Sequence, residues 1–181
     1  MRVLMRVAAA ALVGFLVGCS GNDASHAFEA PEGFSYSGLP VTPGTTAVIG
    51  LGTLQLVDPG TSAKLVALRV EGDHVTDRAG QVLGVNVYSM AESGGIGAIT
   101  ESSLTGINGS NGWKLKQPAG AVVGAQEPVG VAILVRARSI GSWSSDTLVV
   151  DYTMDGRPLA QRISIGAVVC VVADLSQGCE Y

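Results

Sequence analysis

The strongest constraint on the fold lies in residues 145–173, where two runs of apolar and polar residues flank the dipeptide Asp155-Gly156. Asp-Gly favours a two-residue β-turn with positive φ at both positions, and such a turn fixes which residues of the flanking strands face each other. The facing pairs are then Met154 with Arg157, Tyr152 with Leu159, Val150 with Gln161, Leu148 with Ile163, and Thr147 with Ser164. One face of the pair is mainly apolar and the other mainly polar, as in a half-buried antiparallel sheet. This pattern predicts a long hairpin over residues 145–165.

Two residues interrupt the second strand of this hairpin. Pro158 falls at a non-hydrogen-bonded position and lacks an N–H that a further strand could use, which predicts a local sheet edge. Gly166 leaves two alternatives open. Either the alternation continues and Cys170 lies on the outer face with Arg162, or Gly166 forms a β-bulge that exchanges the faces.

Residues 46–138 continue the pattern of short strands between turn signals. The chain has 25 glycines and only 14% charged residues, a composition typical of β proteins. The predicted strands are 46–57, 64–71, 81–90, 112–118 and 129–138, with Leu83, Val85, Val87, Trp113, Leu115, Val129, Val131, Ile133 and Val135 facing inward. Helix propensity competes in 64–71, but Gly72-Asp73 stops that segment early. The Gly- and Ser-rich residues 91–111 predict loops around one short strand.

Regular strands with a turn about every ten residues predict an antiparallel β-sandwich over residues 46–181. In this architecture the domain resembles immunoglobulin-like and fibronectin-like sandwiches.

The first nineteen residues carry a second pattern. Arg2 and Arg6 precede the uncharged run 7–17, which is too short to span a bilayer and is typical of the apolar core of a secretory signal. The sequence Leu16-Val17-Gly18-Cys19 resembles the lipobox of bacterial lipoprotein signal peptides. A plain signal peptide with a coincidental cysteine and an N-terminal core helix are the two alternatives for this segment.

The lipobox resemblance implies a removed signal peptide, 1–18, and a mature chain that begins with a lipidated Cys19. The protein would then be anchored to the cell membrane and face its extracytoplasmic side. Two or three acyl chains give stable anchoring, whereas one gives marginal binding. As a whole, the chain is similar to surface lipoproteins of actinobacteria.

Residues 19–45 are rich in Ser, Gly and Pro and show no sustained periodicity, which predicts a flexible tether. A coil of this length would span about 25–30 Å on average.

Charge and cysteine content narrow the possible partners and compartment. Without Arg2 and Arg6 the remaining chain has nine basic and 15 acidic residues, a net charge of −6. This excess of acid argues against a nucleic-acid partner. Apart from Cys19 the cysteines are Cys170 and Cys179, and an even pair in an oxidising compartment predicts a disulfide. Two free thiols or a metal-binding pair are the alternatives.

Residue types that carry catalysis are sparse. The histidines are His26, in the predicted tether, and His74, which lies between Asp73 and Asp77. A hydrolase or metal-dependent enzyme built on residues near His74 is the alternative function, although no G-x-S-x-G element accompanies it. Calcium could bind oxygen ligands on loops, such as Asp73, Asp77, Asn108 and Asn111, but these residue types are more typical of solvated turns. We expect no cofactor, no resident metal and no catalytic activity.

Binding through loops is the function that this pattern favours. Residues 91–111 and 139–146 are expected to form one loop cluster that contacts a protein, a cell-wall polymer or a small ligand. Trp113, Trp143 and Tyr88 could line a carbohydrate platform with their ring faces, although Trp113 alternates as a core residue. The sequence thus predicts a lipid-anchored, non-catalytic module of the cell envelope, with a purely structural envelope component as a further alternative.

Overall fold

The computed structural model describes residues 27–29, 39–72, 78–93, 98–101 and 114–179. Its elements are β1 (Leu39–Val41), β2 (Thr46–Leu54), β3 (Ser62–Glu71), β4 (Gly80–Ser89), α1 (Met90–Ser93), β5 (Ala98–Glu101), β6 (Val122–Gly124), β7 (Val129–Ala137), β8 (Gly141–Met154), β9 (Arg157–Val171) and a short 3₁₀ turn (Leu175–Gln177). The strand prediction for 64–71 is confirmed, since β3 covers it.

The described strands form two sheets, one in the order β1-β9-β8-β3-β6 and one in the order β4-β7-β2-β5. Every pairing is antiparallel except that of β1 with β9, which is parallel. A single apolar core lies between the sheets and draws on both, with Ile49 and Ile133 from one and Leu148 and Tyr152 from the other. The predicted all-β architecture of two packed sheets is confirmed.

The predicted hairpin is confirmed in its register and its turn. Leu148 pairs with Ile163, Met154 pairs with Arg157, and φ is 50° at Asp155 and 74° at Gly156. Pro158 lies opposite Thr153, and the described part of β1 pairs β9 only at Val169, Cys170 and Val171. Within the described residues β9 is therefore a sheet edge at Pro158, as predicted.

The structure decides between the alternatives for Gly166. The register shifts between Ser145 and Thr147, so that Ile165 and Gly166 together lie opposite Asp146. In β9 the odd-numbered residues are buried on both sides of this bulge, so the alternation continues and Cys170 stays on the outer face. In β8 the buried residues change from even-numbered to odd-numbered positions. Leu148, Val150 and Tyr152 point into the core on one side of the bulge, and Trp143 and Ser145 are buried on the other.

The prediction that Leu83 faces inward is wrong, and the prediction of a strand over 112–118 is only partly met. A register shift between Val82 and Gly84 turns Leu83 outward, where it is 37% exposed, while Val85 and Val87 stay buried. Residues 114–118 form no strand but a single bridge between Lys116 and Val87. Lys114 and Lys116 are exposed and Leu115 is half-buried, in line with the prediction. Trp113 lies outside the described residues.

Parts of the predicted tether belong to the sandwich instead. Leu39–Val41 forms β1, and Phe28 is only 1% exposed in the core. The Phe28 ring packs edge-on against Tyr152 with a centroid distance of 4.9 Å. Phe28 lies in a Ser-, Gly- and Pro-rich segment without sustained periodicity, so no sequence pattern marks it as buried. The prediction of a flexible tether up to residue 45 is therefore wrong for 27–29 and 39–45, and the rest of 19–45 lies outside the described residues.

We name the two ends of the sandwich by their contents. The hairpin end carries Asp155-Gly156, the turn at 57–61 and the loop between β6 and β7. The disulfide end carries the turn at 42–45, residues 138–140 and the segment 172–179.

The hairpin turn predicts a specific response to substitution. Gly156→Val should lower the free energy of unfolding by about 1–3 kcal/mol, because a β-branched residue is strained at positive φ. A Cβ at this position would meet nothing within 4 Å, so the cost comes from the backbone rather than from a clash. Denaturant unfolding measures it, with Asp155→Asn as the control, since Asn-Gly suits the same turn. Equal stability of Gly156→Val and the wild type would contradict the turn type.

The burial of Phe28 predicts that the N-terminal segment contributes to stability. Phe28→Ala should cost about 3–5 kcal/mol, the range for removing a buried aromatic ring. Glu29→Ala, one position along and exposed, should change stability by less than about 0.5 kcal/mol. If both variants unfold at the wild-type denaturant concentration, residues 27–29 are not part of the core.

Candidate functional site

Most of the residues singled out from sequence lie outside the described residues. These are Cys19, His26, Asp73, His74, Asp77, Asn108, Asn111 and Trp113. The hypotheses of lipidation at Cys19 and of a catalytic or calcium site near His74 therefore remain predictions.

The proposed aromatic platform is wrong for the two rings that the structure describes. Trp143 is 0% exposed and belongs to the core between the sheets. Tyr88 is 2% exposed and packs with Val48, Ala132 and Leu134 in a second cluster on the other face of the four-stranded sheet. A stacking platform needs an exposed ring face, and neither ring provides one.

The predicted loop cluster is also divided by the fold. Residues 91–93 follow Ser89, which pairs with Val129 at the hairpin end. Residues 139–140 follow β7, whose last residue Ala137 pairs with Gly80 at the disulfide end. Residues 141–146 are not a loop but the start of β8. Strands β4 and β7 therefore separate the described parts of the two segments by roughly 30 Å, at about 3.3 Å per residue.

The two cysteines at the disulfide end lie at disulfide distance, with Cα atoms 5.7 Å apart. Cys170 lies on the outer face of β9, and the segment that follows returns to cover it. The Val172 N–H donates to the Val41 carbonyl, and Asp174 accepts from the Ser176 N–H at 2.9 Å. That backbone hydrogen bond lowers the pKa of the Asp174 carboxyl.

An open groove lies at the hairpin end, and we call it the end groove. It has a volume of about 430 Å³ and is bounded by the end of β4, the segment at Lys116, the start of β6 and the turn before β7. Its apolar lining includes Val122, Pro128 and Val129, and its polar lining includes Lys116, Gln126 and Glu127. Val122 is 57% exposed, so an apolar surface is accessible there.

The position of the end groove follows from the sheet edges. Strand β6 is the last strand of one sheet and β4 the last strand of the other. The groove therefore opens on a side of the sandwich where no further described strand closes the gap between the layers. The sequence did not reveal it, because residues 87–91 line it together with residues between 116 and 129, and these two parts of the chain carry no common motif.

The outer face of the five-stranded sheet carries a network of ion pairs. Glu71 accepts from Arg162 at 2.6 Å and lies 3.4 Å from the Arg69 Nε, and Arg69 also pairs with Asp151. Val149 is 2% exposed at the position between the two arginines in the sheet. Two cations and two carboxylates thus pair across three strands. Opposite charges on neighbouring strands stabilise the sheet modestly.

The hydrogen bond from Arg162, assisted by Arg69, holds the pKa of the Glu71 carboxyl below its ordinary value of 4.5, against a smaller opposing effect of desolvation. The Glu71 carboxyl is therefore ionised at neutral pH.

Two kinds of feature are missing from the part of the chain that the structure describes. Within those residues no group of three or more His, Cys, Asp and Glu side chains could hold a metal ion. Within the same ranges no helix has the length and apolar content to cross a membrane.

No family model matches the chain, and no curated protein matches it.

The depressed pKa of Glu71 predicts an acid dependence of stability. Its ionised form contributes stability above the ordinary carboxyl pKa, and that contribution is lost as pH falls through the lower pKa of the folded state. Glu71→Gln should therefore be less stable than the wild type near neutral pH, and the difference should shrink as pH falls below 4.5.

Urea unfolding at a series of pH values measures this difference. Arg162→Gln, which removes the main partner of Glu71, should show the same convergence with the wild type at low pH. A difference between Glu71→Gln and the wild type that is constant across pH would show that the ion pairs do not carry the effect.

Proposed function

We propose that this protein is an extracytoplasmic lipoprotein, anchored to the cell membrane through Cys19, whose β-sandwich is a non-catalytic binding module of the cell envelope. The observation that carries the binding function is the end groove, with its exposed apolar lining and flanking charges. The anchor is supported by the sequence of residues 1–19.

The compartment is supported by the cysteines. Cys170 lies in β9 and Cys179 in the segment that follows it, and the two are at disulfide distance. Disulfides persist in oxidising compartments outside the cytoplasm. This agrees with export of the domain, which the lipobox resemblance implies.

The chemistry of the end groove favours binding over catalysis. Its charged side chains among the described lining residues are Lys116 and Glu127, and both are exposed. Catalytic acids and bases are usually placed where burial or close charges shift their pKa values. An amine, a carboxylate and an apolar floor instead suit contact with a ligand that is partly apolar and partly polar, such as a segment of polypeptide.

The immunoglobulin-like character of the sandwich is part of the proposal. The support is two facing sheets built almost entirely from antiparallel pairs and the long hairpin β8–β9. Among the described strands this hairpin is the one pairing of strands that are consecutive in the chain. Immunoglobulin domains pair several consecutive strands. The resemblance to immunoglobulin domains therefore lies in the packing of two antiparallel sheets and not in the order of the strands within them.

The anchor predicts a change in partitioning when Cys19 is replaced. In the native host the wild type should sediment with membranes and have an intact mass above that of the polypeptide 19–181 by the mass of its lipid. Cys19→Ser should lose the lipid and leave the membrane fraction, while Ser20→Ala should behave as the wild type. A wild-type chain without added mass would refute the anchor.

If the end groove binds a ligand in cells, a crosslinking residue placed in the groove should react with that ligand, and one placed at the other end of the sandwich should not. A photoreactive amino acid at Val122, which lines the groove, should give discrete adducts on irradiation of intact cells. The same residue at Ile140, which is 68% exposed at the disulfide end, is the matched control and should not give those adducts. Identical adducts from both positions, or none from Val122, would show that the groove is not a binding site.

A further inference from the structure

We infer that the hairpin end of the sandwich faces the membrane and lies against the lipid headgroups, while the disulfide end points away. This inference rests on the proposed anchor at Cys19 and adds the orientation of the domain. Two features of the structure carry it, the fixed position of Phe28 and the direction of the chain there, together with the short distance in sequence from Cys19 to Phe28.

Phe28 is a fixed point on the sandwich. Its N–H donates to the Gln161 Oε1 at 2.9 Å, and its carbonyl accepts from the Gln161 Nε2 at 2.9 Å. Gln161 is itself only 6% exposed, so its amide satisfies Phe28 in a buried site. Detachment of Phe28 would take these partners from the Gln161 amide and expose a buried aromatic ring to water, which is costly. Residues 27–29 therefore move with the domain.

The direction of residues 27–29 determines where the preceding chain leaves. The Val57 N–H donates to the Ala27 carbonyl and the Glu29 N–H donates to the Gln55 carbonyl, at 2.9 and 3.0 Å, so this segment runs antiparallel to 55–57. Strand β2 runs toward the hairpin end, and residues 55–57 continue it. Ala27, the first described residue of this segment, is therefore its residue nearest the hairpin end.

The connection to the anchor is shorter than the domain. Phe28 is nine residues after Cys19, which spans at most about 30 Å when fully extended and roughly 16 Å on average as a coil. Phe28 is held by Gln161, which pairs with Val150 of β8, and the disulfide end at Gly141 lies nine residues of β8, about 30 Å, from that level. Only a fully extended connection would span that distance, whereas its average length as a coil is about half of it. The anchor therefore holds the hairpin end closer to the membrane than the disulfide end.

The surface of the hairpin end suits a headgroup layer. Val57 is 54% and Val122 57% exposed, and the nearby charges include Asp58 and Asp155 as well as Arg157. Mixed charge and scattered valines permit contact with headgroups without insertion. Because the chain without residues 1–18 has a net charge of −6, the acyl anchor rather than surface charge supplies the attraction. The end groove opens at this same end, so its ligand is bound near the lipid surface.

Fluorescence energy transfer to the membrane tests the orientation. The full lipidated protein, purified from its host and inserted into phosphatidylcholine vesicles with an acceptor dye on the headgroups, carries a donor on Ser62→Cys or on Ser139→Cys. Both serines are exposed, Ser62 at the hairpin end and Ser139 at the disulfide end. Labelling without reductant spares Cys170 and Cys179.

We expect transfer from position 62 to exceed transfer from position 139 several-fold. Insertion of about twenty Gly and Ser residues after Gly21 should remove most of that difference, because the longer coil lets the domain turn. Equal transfer from both positions in the unmodified chain, or a difference that survives the insertion, would overturn the orientation. Failure of the protein to float with the vesicles would instead refute the anchor, and the orientation with it.

Discussion

A two-residue turn with positive φ at Asp155 and Gly156 sets the register on which the larger sheet depends. Because side chains alternate along a strand, a slip by one residue would exchange the apolar and polar faces of both β8 and β9. The register places Leu148 and Ile163 opposite each other in the core, and β8 then aligns β3 on its other edge. The core between the sheets can form only with this alignment, since many of its largest residues come from these strands.

The bulge opposite Asp146 lets one strand serve two parts of the core. β8 turns its even-numbered residues inward near the hairpin and its odd-numbered residues inward near the disulfide end, which buries Trp143. Ser145 is buried by the same change, and its hydroxyl donates to the Glu71 carbonyl at 2.7 Å. The indole in turn requires a glycine at position 80, where a Cβ would lie 2.8 Å from the Trp143 side chain. Glu71 of β3 and Gly80 of β4 thus accommodate the side chains of β8 that this change turns inward.

The two ends of the sandwich have different structural roles. The disulfide end closes the fold through β1, the segment 172–179 and the paired cysteines. The hairpin end receives the N-terminal segment at Phe28 and leaves the end groove open between the two sheet edges. The proposed anchoring and binding thus belong to one end, and covalent closure to the other. The charged network around Glu71 lies on the face of the larger sheet between them.

The sequence by itself determined the hairpin, most of the strand positions and the all-β class, because turn chemistry and alternation act between residues that are close in the chain. Only the tertiary structure decided the burial of Phe28, the outward turn of Leu83 and the burial of Trp143 and Tyr88. These depend on bulges and on neighbours that are distant in sequence. The end groove likewise joins segments near residues 88, 116, 122 and 128, which carry no shared pattern. Periodicity shows which face of a strand is apolar, but which segments come to lie beside it is set by how the sheets pack.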